Sequence, residues 1–187
     1  MKMNFAKTRF YLSTRFRLIL LAGSALTLVL FGPGVAVADL QGVGDFNGDG
    51  HPDFVLQGGA GFQQTGIWYM NNNVFVSGAF GPTLPAGWFV VAVGDFNGDG
   101  HPDFVLFNFS TQQTAIWYMN NNVFVSGKFG PTLPADWFVQ GVGDFNGDGH
   151  PDFALQGGAG FQQTAIWYMN NNVFVSGAFG PTLPVNW

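Results

Sequence analysis

The sequence predicts an all-β protein built from three tandem copies of one four-stranded unit, and two observations support this prediction. The segment GDFNGDGHPDF begins at Gly44 and recurs unchanged at Gly94 and Gly143, so the copies are spaced by 50 and 49 residues. Glycine and proline occur throughout these copies, and no 3.6-residue apolar pattern indicates a helix. A long internal period of this kind is typical of proteins in which each repeat folds as one unit of an array.

Each repeat divides into four predicted strands. In the second copy these are residues 89–94, 104–107, 114–119 and 123–126. An Asn-Asn-Asn triplet joins the last two strands and predicts a hairpin turn, because Asn tolerates positive φ. The segment Gly-Pro-Thr-Leu-Pro closes the repeat and is expected to lie outside the sheet, because proline cannot donate to a strand ladder.

Four-stranded units of about 50 residues match the blade of a β-propeller. We divide the chain into blades at 39–88, 89–137 and 138–187. A closed propeller typically has about four to eight blades, so we expect two chains to complete a six-bladed ring as a homodimer. A fragment of a longer propeller is the alternative, since exposed blade faces and strand edges promote aggregation.

The first 38 residues have the three parts of a secretory signal peptide. Five of the six basic residues lie in the first seventeen positions, an apolar run spans Leu18 to Phe31, and Ala36-Val37-Ala38 supplies an A-x-A site. An uncleaved anchor is the alternative, because the run approaches the ~20 residues of a membrane span. Pro33 favours cleavage after Ala38. The sequence thus predicts a secreted protein, extracellular or periplasmic, with no stable membrane insertion after cleavage. The chain contains no cysteine, so neither lipoprotein attachment nor a disulfide is expected.

Cleavage leaves a strongly acidic chain. Residues 39–187 contain eleven Asp, no Glu, no Arg and the single Lys128, which gives a formal charge of −10. Nothing in this chain neutralises phosphates, so nucleic acid is not an expected partner. Nine of the eleven Asp lie in the three repeated loops, so the sequence predicts local sites that attract cations.

Each loop follows the pattern Asp-x-Asn-x-Asp-Gly-x-x-Asp. The spacing places side-chain oxygens at loop positions 1, 3, 5 and 9, and a histidine carbonyl is available at position 7. Calcium prefers six to eight such hard oxygen ligands, and the loop glycines permit the positive φ that a tight wrap requires. We expect about one Ca²⁺ per repeat. The predicted ligands are Asp45, Asn47, Asp49, His51, Asp53, Asp95, Asn97, Asp99, His101, Asp103, Asp144, Asn146, Asp148, His150 and Asp152, each His through its carbonyl.

The loop pattern admits three alternatives to a calcium site. An EF-hand requires Glu at loop position 12, where this chain has Leu56, and a helix afterwards. Magnesium prefers fewer carboxylates and more retained water. A solvated Asx turn without metal is the remaining alternative, and three unchanged copies disfavour it.

Over residues 40–187 the chain resembles calcium-binding repeats of the FG-GAP/VCBS type, and the loop from Asp45 to Asp53 is the most specific part of the resemblance. The resemblance implies that the loop joins the first two strands of a blade and binds calcium. It also implies lectin, carbohydrate-binding or cell-adhesion roles, as found among members of the family. No literal Phe-Gly…Gly-Ala-Pro string surrounds the loop, which favours the broader secreted bacterial group over the integrin α-subunits.

Catalysis is not expected from the residues available. Residues 39–187 lack Glu, Cys and Arg, and nearly all Asp belong to the loops, so no spare pair of titratable groups remains for acid–base chemistry. A three-histidine zinc site would require His51, His101 and His150 to converge, which loops on separate blades disfavour.

A multivalent binding module is therefore the preferred function, with a glycan or a protein as its ligand, because identical copies add avidity. A calcium-stabilised scaffold is the alternative. Trp68, Trp117 and Trp167 could provide aromatic platforms but are expected in the core. The tryptophans at the repeat ends are expected to be more exposed, and packing between blades is the alternative for them. They are Trp88, Trp137 and Trp187.

Overall fold

A computed structural model describes residues 38–184, which form three antiparallel four-stranded sheets. Blade 1 contains β1 (Ala38–Gly44), β2 (Asp53–Gly58), β3 (Gln64–Asn71) and β4 (Val74–Thr83). Blade 2 contains β5 (Trp88–Gly94), β6 (Asp103–Asn108), β7 (Gln113–Asn120) and β8 (Val123–Thr132). Blade 3 contains β9 (Phe138–Gly143), β10 (Asp152–Gly157), β11 (Gln163–Asn170) and β12 (Val173–Thr182). Short 3₁₀ turns occur at Ala60–Phe62 and Ala159–Phe161. The prediction of an all-β fold with three four-stranded units is confirmed. The predicted signal peptide, apart from Ala38, lies outside the described residues.

Within each blade the strands follow one another as a meander, so every strand pairs with its neighbour in sequence. The predicted hairpins between the third and fourth strands are confirmed. Asn72, Asn121 and Asn171 have φ values of 54°, 55° and 53° and occupy the first position of each two-residue turn. Asn adopts this left-handed conformation more readily than most residues, so the triplet fixes the register of both strands.

The fourth strands are longer than the sequence predicts, and the expectation that Gly-Pro-Thr lies outside the sheet is wrong. β4 continues to Thr83 and includes Pro82, and Thr83 pairs with Gln64. The strand tolerates proline because β4 is the edge of its sheet. An edge strand has one side without a partner, so a missing N–H on that side costs no ladder bond.

The apolar core lies between neighbouring blades. Phe46, in the loop of blade 1, packs edge to face on Phe104 of blade 2, with ring centroids 5.9 Å apart. Phe96 packs on Phe153 of blade 3 with the same separation. All four rings are fully buried. Each loop phenylalanine therefore anchors its own blade to the next blade along the chain.

A buried amide adds a polar link between blades 1 and 2. The Gln57 side chain donates to the carbonyl oxygen of Trp88 at 3.1 Å and accepts from the backbone N–H of Val90 at 2.8 Å. Its amide also donates to the carbonyl oxygen of Phe62. Blade 2 has Phe107 at the equivalent position, and this ring contacts Phe138 of blade 3 at 6.0 Å. The two junctions thus use the same strand position with different chemistry.

Candidate metal loops

The three Asp-rich loops connect the first and second strands of their blades and are almost identical in geometry. In the first loop, Gly48 and Gly50 have φ values of 75° and 88°. A side chain at either position would be strained, so glycine is required for the tight wrap. The predicted positive φ at these positions is confirmed.

The first Asp of each loop organises the turn. Asp45 Oδ1 accepts hydrogen bonds from the backbone N–H groups of Gly48 at 2.8 Å and Asp49 at 3.1 Å, and Oδ2 accepts from Gly50 at 2.8 Å. Asp95 and Asp144 make the same three bonds in their loops. The backbone dipoles therefore hold each carboxylate in one orientation before any ligand arrives.

The third and fifth loop positions are coupled to each other. Asn47 Oδ1 accepts from the N–H of Asp49 at 3.0 Å, and Asn47 Nδ2 donates to Asp49 Oδ2 at 2.9 Å. Asp49 Oδ1 also accepts from the N–H of His51 at 2.9 Å. The Asn47 and His51 hydrogen bonds lower the pKa of Asp49 below its usual range, because they favour the charged form. The same contacts lower the pKa of Asp148.

The ninth-position Asp differs from the others because it is fully buried. Asp53 Oδ2 accepts from the N–H of Phe46 at 3.0 Å, and Oδ1 accepts from the N–H of Met70 at 2.9 Å. Asp53 thus joins the start of the loop to the end of β3. Asp103 and Asp152 make equivalent bonds. Sequence reasoning assigned these residues only as ligands and missed this structural role.

Burial has an electrostatic consequence in the middle loop. Loss of water raises the pKa of Asp103 to about 6. The backbone N–H bonds from Met119 and Phe96 oppose this rise, whereas the charges of Asp99 and Asp95 add to it. A cation beside this carboxylate would favour its ionised form.

Hydrogen bonds join Asp45, Asn47 and Asp49 within one loop, whereas the buried Asp53 carboxylate bonds to the backbone N–H groups of Phe46 and Met70. The other two blades repeat this arrangement. Within residues 38–184, no three His, Cys, Asp or Glu side chains converge as a metal-binding group. The donor chemistry nevertheless fits calcium. A carboxylate has about four acceptor positions and an amide oxygen about two, so each of the four side chains keeps acceptor capacity beyond its hydrogen bonds. Whether the fifteen predicted residues bind calcium stays a prediction.

The three histidines lie one per loop, at positions 51, 101 and 150, and each is half-buried. Each backbone N–H donates to the fifth-position Asp of its own loop. The part of the chain that the structure describes contains no metal-binding group in which they converge. Nor does it contain a helix long and apolar enough to cross a membrane.

Aromatic pairs recur on the third and fourth strands of every blade. The Trp68 ring contacts Phe75 at 5.2 Å, and the equivalent pairs in blades 2 and 3 are 4.6 Å apart. Trp68 is 47% exposed, so its expected place in the core is wrong. Trp117 and Trp167 are half-buried and pack against the inter-blade clusters, so the expectation holds in part for them. The glycine opposite each Trp makes this packing possible: a Cβ at Gly127 would lie 2.8 Å from Trp117 Cδ1. We call these contacts the Trp–Phe pairs; they are Trp68–Phe75, Trp117–Phe124 and Trp167–Phe174.

The tryptophans at the repeat ends are less exposed than expected. Trp88 and Trp137 are half-buried, and their rings contact Phe129 at 5.9 Å and Phe179 at 6.0 Å. Both also pack against the inter-blade clusters, as the alternative interpretation predicts. Trp187 lies outside the described residues.

Comparison with known protein families agrees with the repeat structure. The profile of the FG-GAP-like repeat matches the chain twice, over residues 45–106 and 95–155. Each match begins at the first Asp of a loop and extends past the same Asp of the next loop. No curated protein matches the chain. The two overlapping matches cover more than half of the sequence, and the chain therefore belongs to the FG-GAP-like repeat family.

Proposed function

We propose that this protein is a secreted, calcium-binding module that acts without catalysis and presents repeated sites to a glycan or protein ligand. Membership of the FG-GAP-like repeat family supports a repeat-based binding or scaffold role. The signal-peptide pattern in residues 1–38 supports secretion. In this proposal two chains of three blades complete one six-bladed ring.

The observation that carries the calcium proposal is the pre-oriented loop, repeated three times. In each loop, four consecutive backbone N–H groups, at residues 48–51 in the first copy, donate to side-chain oxygens of the loop. Calcium would be held by Asp45, Asn47, Asp49 and Asp53 with the carbonyl of His51, and by their equivalents. Its positive charge would offset the repulsion between carboxylates that lie within nine residues of one another.

The observation that favours a binding module over a scaffold is exposed aromatic surface on all three blades. Phe80, Phe129 and Phe179 are 80%, 71% and 78% exposed. On the same fourth strands, the Phe rings of the Trp–Phe pairs, Phe75, Phe124 and Phe174, are 52%, 41% and 41% exposed. Aromatic rings can pack on the apolar faces of sugars, and neighbouring Asn and Gln can hydrogen-bond their hydroxyl groups. Three equivalent surfaces would give avidity from weak individual contacts.

Thermal melting of the purified protein, in calcium and in chelator, tests the metal component. A calcium dissociation constant near 10⁻⁴ M, within the range of extracellular modules, gives about 2.7 kcal/mol per site at 10 mM calcium. We therefore expect a higher melting temperature in calcium and none of this gain in a variant with Asp45, Asp95 and Asp144 all changed to Asn. A melting temperature indifferent to calcium would refute the metal component.

Glycan-array binding tests the ligand component. Wild type should bind a defined class of glycans, and Trp68→Ala combined with Trp117→Ala and Trp167→Ala should reduce that binding at least tenfold. Thr83→Ala, on the edge strand that also carries Phe75 but away from the Trp–Phe pairs, serves as the control. Unchanged glycan binding by the triple variant would exclude the Trp–Phe pairs as the site.

A further inference from the structure

The two inter-blade junctions of this chain share one aromatic contact, although they differ at the position occupied by Gln57 in blade 1 and Phe107 in blade 2. At each junction, the loop Phe of one blade meets a Phe on the second strand of the next blade, in the pairs Phe46–Phe104 and Phe96–Phe153. Both pairs have 5.9 Å between centroids and an interplanar angle of 64°. One face of a blade is therefore built to fit the opposite face of another.

The same two faces are open at the ends of the blade series. Phe145, the third loop Phe, is 53% exposed, whereas Phe46 and Phe96 are fully buried. Phe54, equivalent to Phe104 and Phe153, is only half-buried. No ring contact to Phe54 or Phe145 occurs among residues 38–184. Each end thus holds one member of the repeated aromatic pair.

Other side chains on the two end faces show the same pattern. Leu40 is 55% exposed, whereas the equivalent Val90 and Val139 are 0% and 7% exposed. On the other end, Ile166 is half-buried, whereas Ile67 and Ile116 are fully buried. We call the surface around Leu40, Val43 and Phe54 the head face, and the surface around Phe145, Gln156 and Ile166 the tail face.

Polar groups also match. Gln57 bonds across the first junction to Trp88 and Val90, and Gln156 occupies the same position on the tail face. Gln156 donates to the carbonyl oxygen of Phe161, and within the described residues its Oε1 accepts no bond. Leu40 stands at the position of Val90, with the same strand irregularity before Gly42 as occurs before Ala92. Its N–H would meet Gln156 Oε1 if the two faces joined.

We propose that two copies of this chain associate head to tail, each tail face covering the head face of the other copy and seating Phe145 on Phe54. This inference rests on the six-bladed ring in the proposed function and specifies the surfaces that close it. The occupant is a second copy because the chain itself carries both complementary surfaces. A head-to-tail interface gives a closed pair when the rotations between successive blades of two chains add up to a full turn. Otherwise it gives an open filament.

Engineered disulfides test this pairing directly, because the chain contains no cysteine. At the internal junctions, a Cβ on Gly44 or Gly94 would lie 3.1 or 3.6 Å from the Cβ of Pro102 or Pro151. Disulfides join Cβ atoms about 3.5–4.5 Å apart. The equivalent pair across the proposed interface is Gly143 of one copy and Pro52 of the other. A Cβ on Gly143 would contact only its own Phe145 within 4 Å, so the site is open for the partner.

The full chain carrying both Gly143→Cys and Pro52→Cys should oxidise to a two-chain species that separates on reduction. Each single variant should remain mostly uncrosslinked, and Gly94→Cys with Pro151→Cys should form a disulfide within one chain. Denaturing electrophoresis without reductant measures the apparent mass of all four variants. A double variant that crosslinks no more than the single variants would overturn the proposal, as would a ladder of larger species, which indicates a filament.

The mass of the native protein gives a second measurement, at about 0.15 M salt. Wild type should have twice the chain mass, and Phe145→Asp should raise the dissociation constant of the dimer at least about a hundredfold. Phe80→Asp is the matched control: Phe80 lies on the same sheet face as Leu40, but its equivalents Phe129 and Phe179 stay 71% and 78% exposed at the internal junctions, so the partner is not expected to cover it. Monomeric wild type would overturn the pairing. The calcium-dependent shift in melting temperature is measured in a separate experiment. If crosslinking is absent but that shift remains, the dimer is refuted and the calcium proposal is not.

Discussion

Replacing the buried Asp103 by Ala separates a structural carboxylate from a calcium ligand. Asp103 accepts backbone hydrogen bonds from Phe96 and Met119, both at 2.9 Å. Its removal leaves two buried N–H groups without acceptors, at about 1–3 kcal/mol each. Relief of the desolvation that raises the pKa of Asp103 offsets part of this cost at neutral pH. We therefore expect a loss of about 2–4 kcal/mol in the free energy of unfolding.

Urea denaturation at pH 7 in chelator measures this loss without any contribution from metal. Asp99→Ala is the matched control, because Asp99 lies in the same loop but is exposed. Its removal should cost about 1 kcal/mol or less in chelator and should weaken calcium binding instead. A Asp103→Ala variant within about 0.5 kcal/mol of wild type would refute the structural role of this carboxylate.

In chelator, the free energy of unfolding should decrease as pH rises from about 4 to above 6. The cause is Asp103, whose pKa in the folded protein is raised to about 6. A raised folded-state pKa stabilises the protein fully below the unfolded pKa, and this stabilisation is lost as pH rises through the folded pKa. Asp103→Asn should flatten this decline in urea midpoints, whereas an unchanged slope would assign it to another group. Phe96→Ala should lower the free energy of unfolding in urea by about 3–5 kcal/mol, because its ring is fully buried on Phe153. Equal losses from Phe96→Ala and Phe80→Ala would contradict the role of Phe96 as an inter-blade anchor. Gly127→Ala should displace the Trp117 ring, since the new Cβ would lie 2.8 Å from Cδ1, and an unshifted Trp fluorescence spectrum relative to wild type would contradict this contact.

Local features of the repeat are predictable from sequence because they depend on residues near in the chain. The Asn72 turn, the positive φ of Gly48 and Gly50, and the four strands per repeat all follow from local conformational preferences. The loop hydrogen bonds of Asp45 reach only five residues ahead. Such contacts are encoded within one repeat, and three copies make the pattern clear.

Contacts between blades are harder to predict. The bonds of Gln57 to Trp88 and Val90 join residues more than thirty positions apart, and no local pattern marks that glutamine as buried. The insertion of Phe46 against Phe104 depends on how two sheets pack, which the residues of one loop do not determine. Pro82 lies inside a strand because that strand is an edge, which is a property of the whole sheet.

Isothermal titration of calcium into the metal-free protein tests calcium binding by the loops, because it counts the bound ions. We expect about three bound ions per chain, one for each loop, and two for an Asp95→Asn variant, whose middle loop loses its first carboxylate. Circular dichroism in chelator would show that the variant retains its strands. The absence of calcium binding by the folded wild-type protein, or a stoichiometry unchanged by Asp95→Asn, would contradict the account.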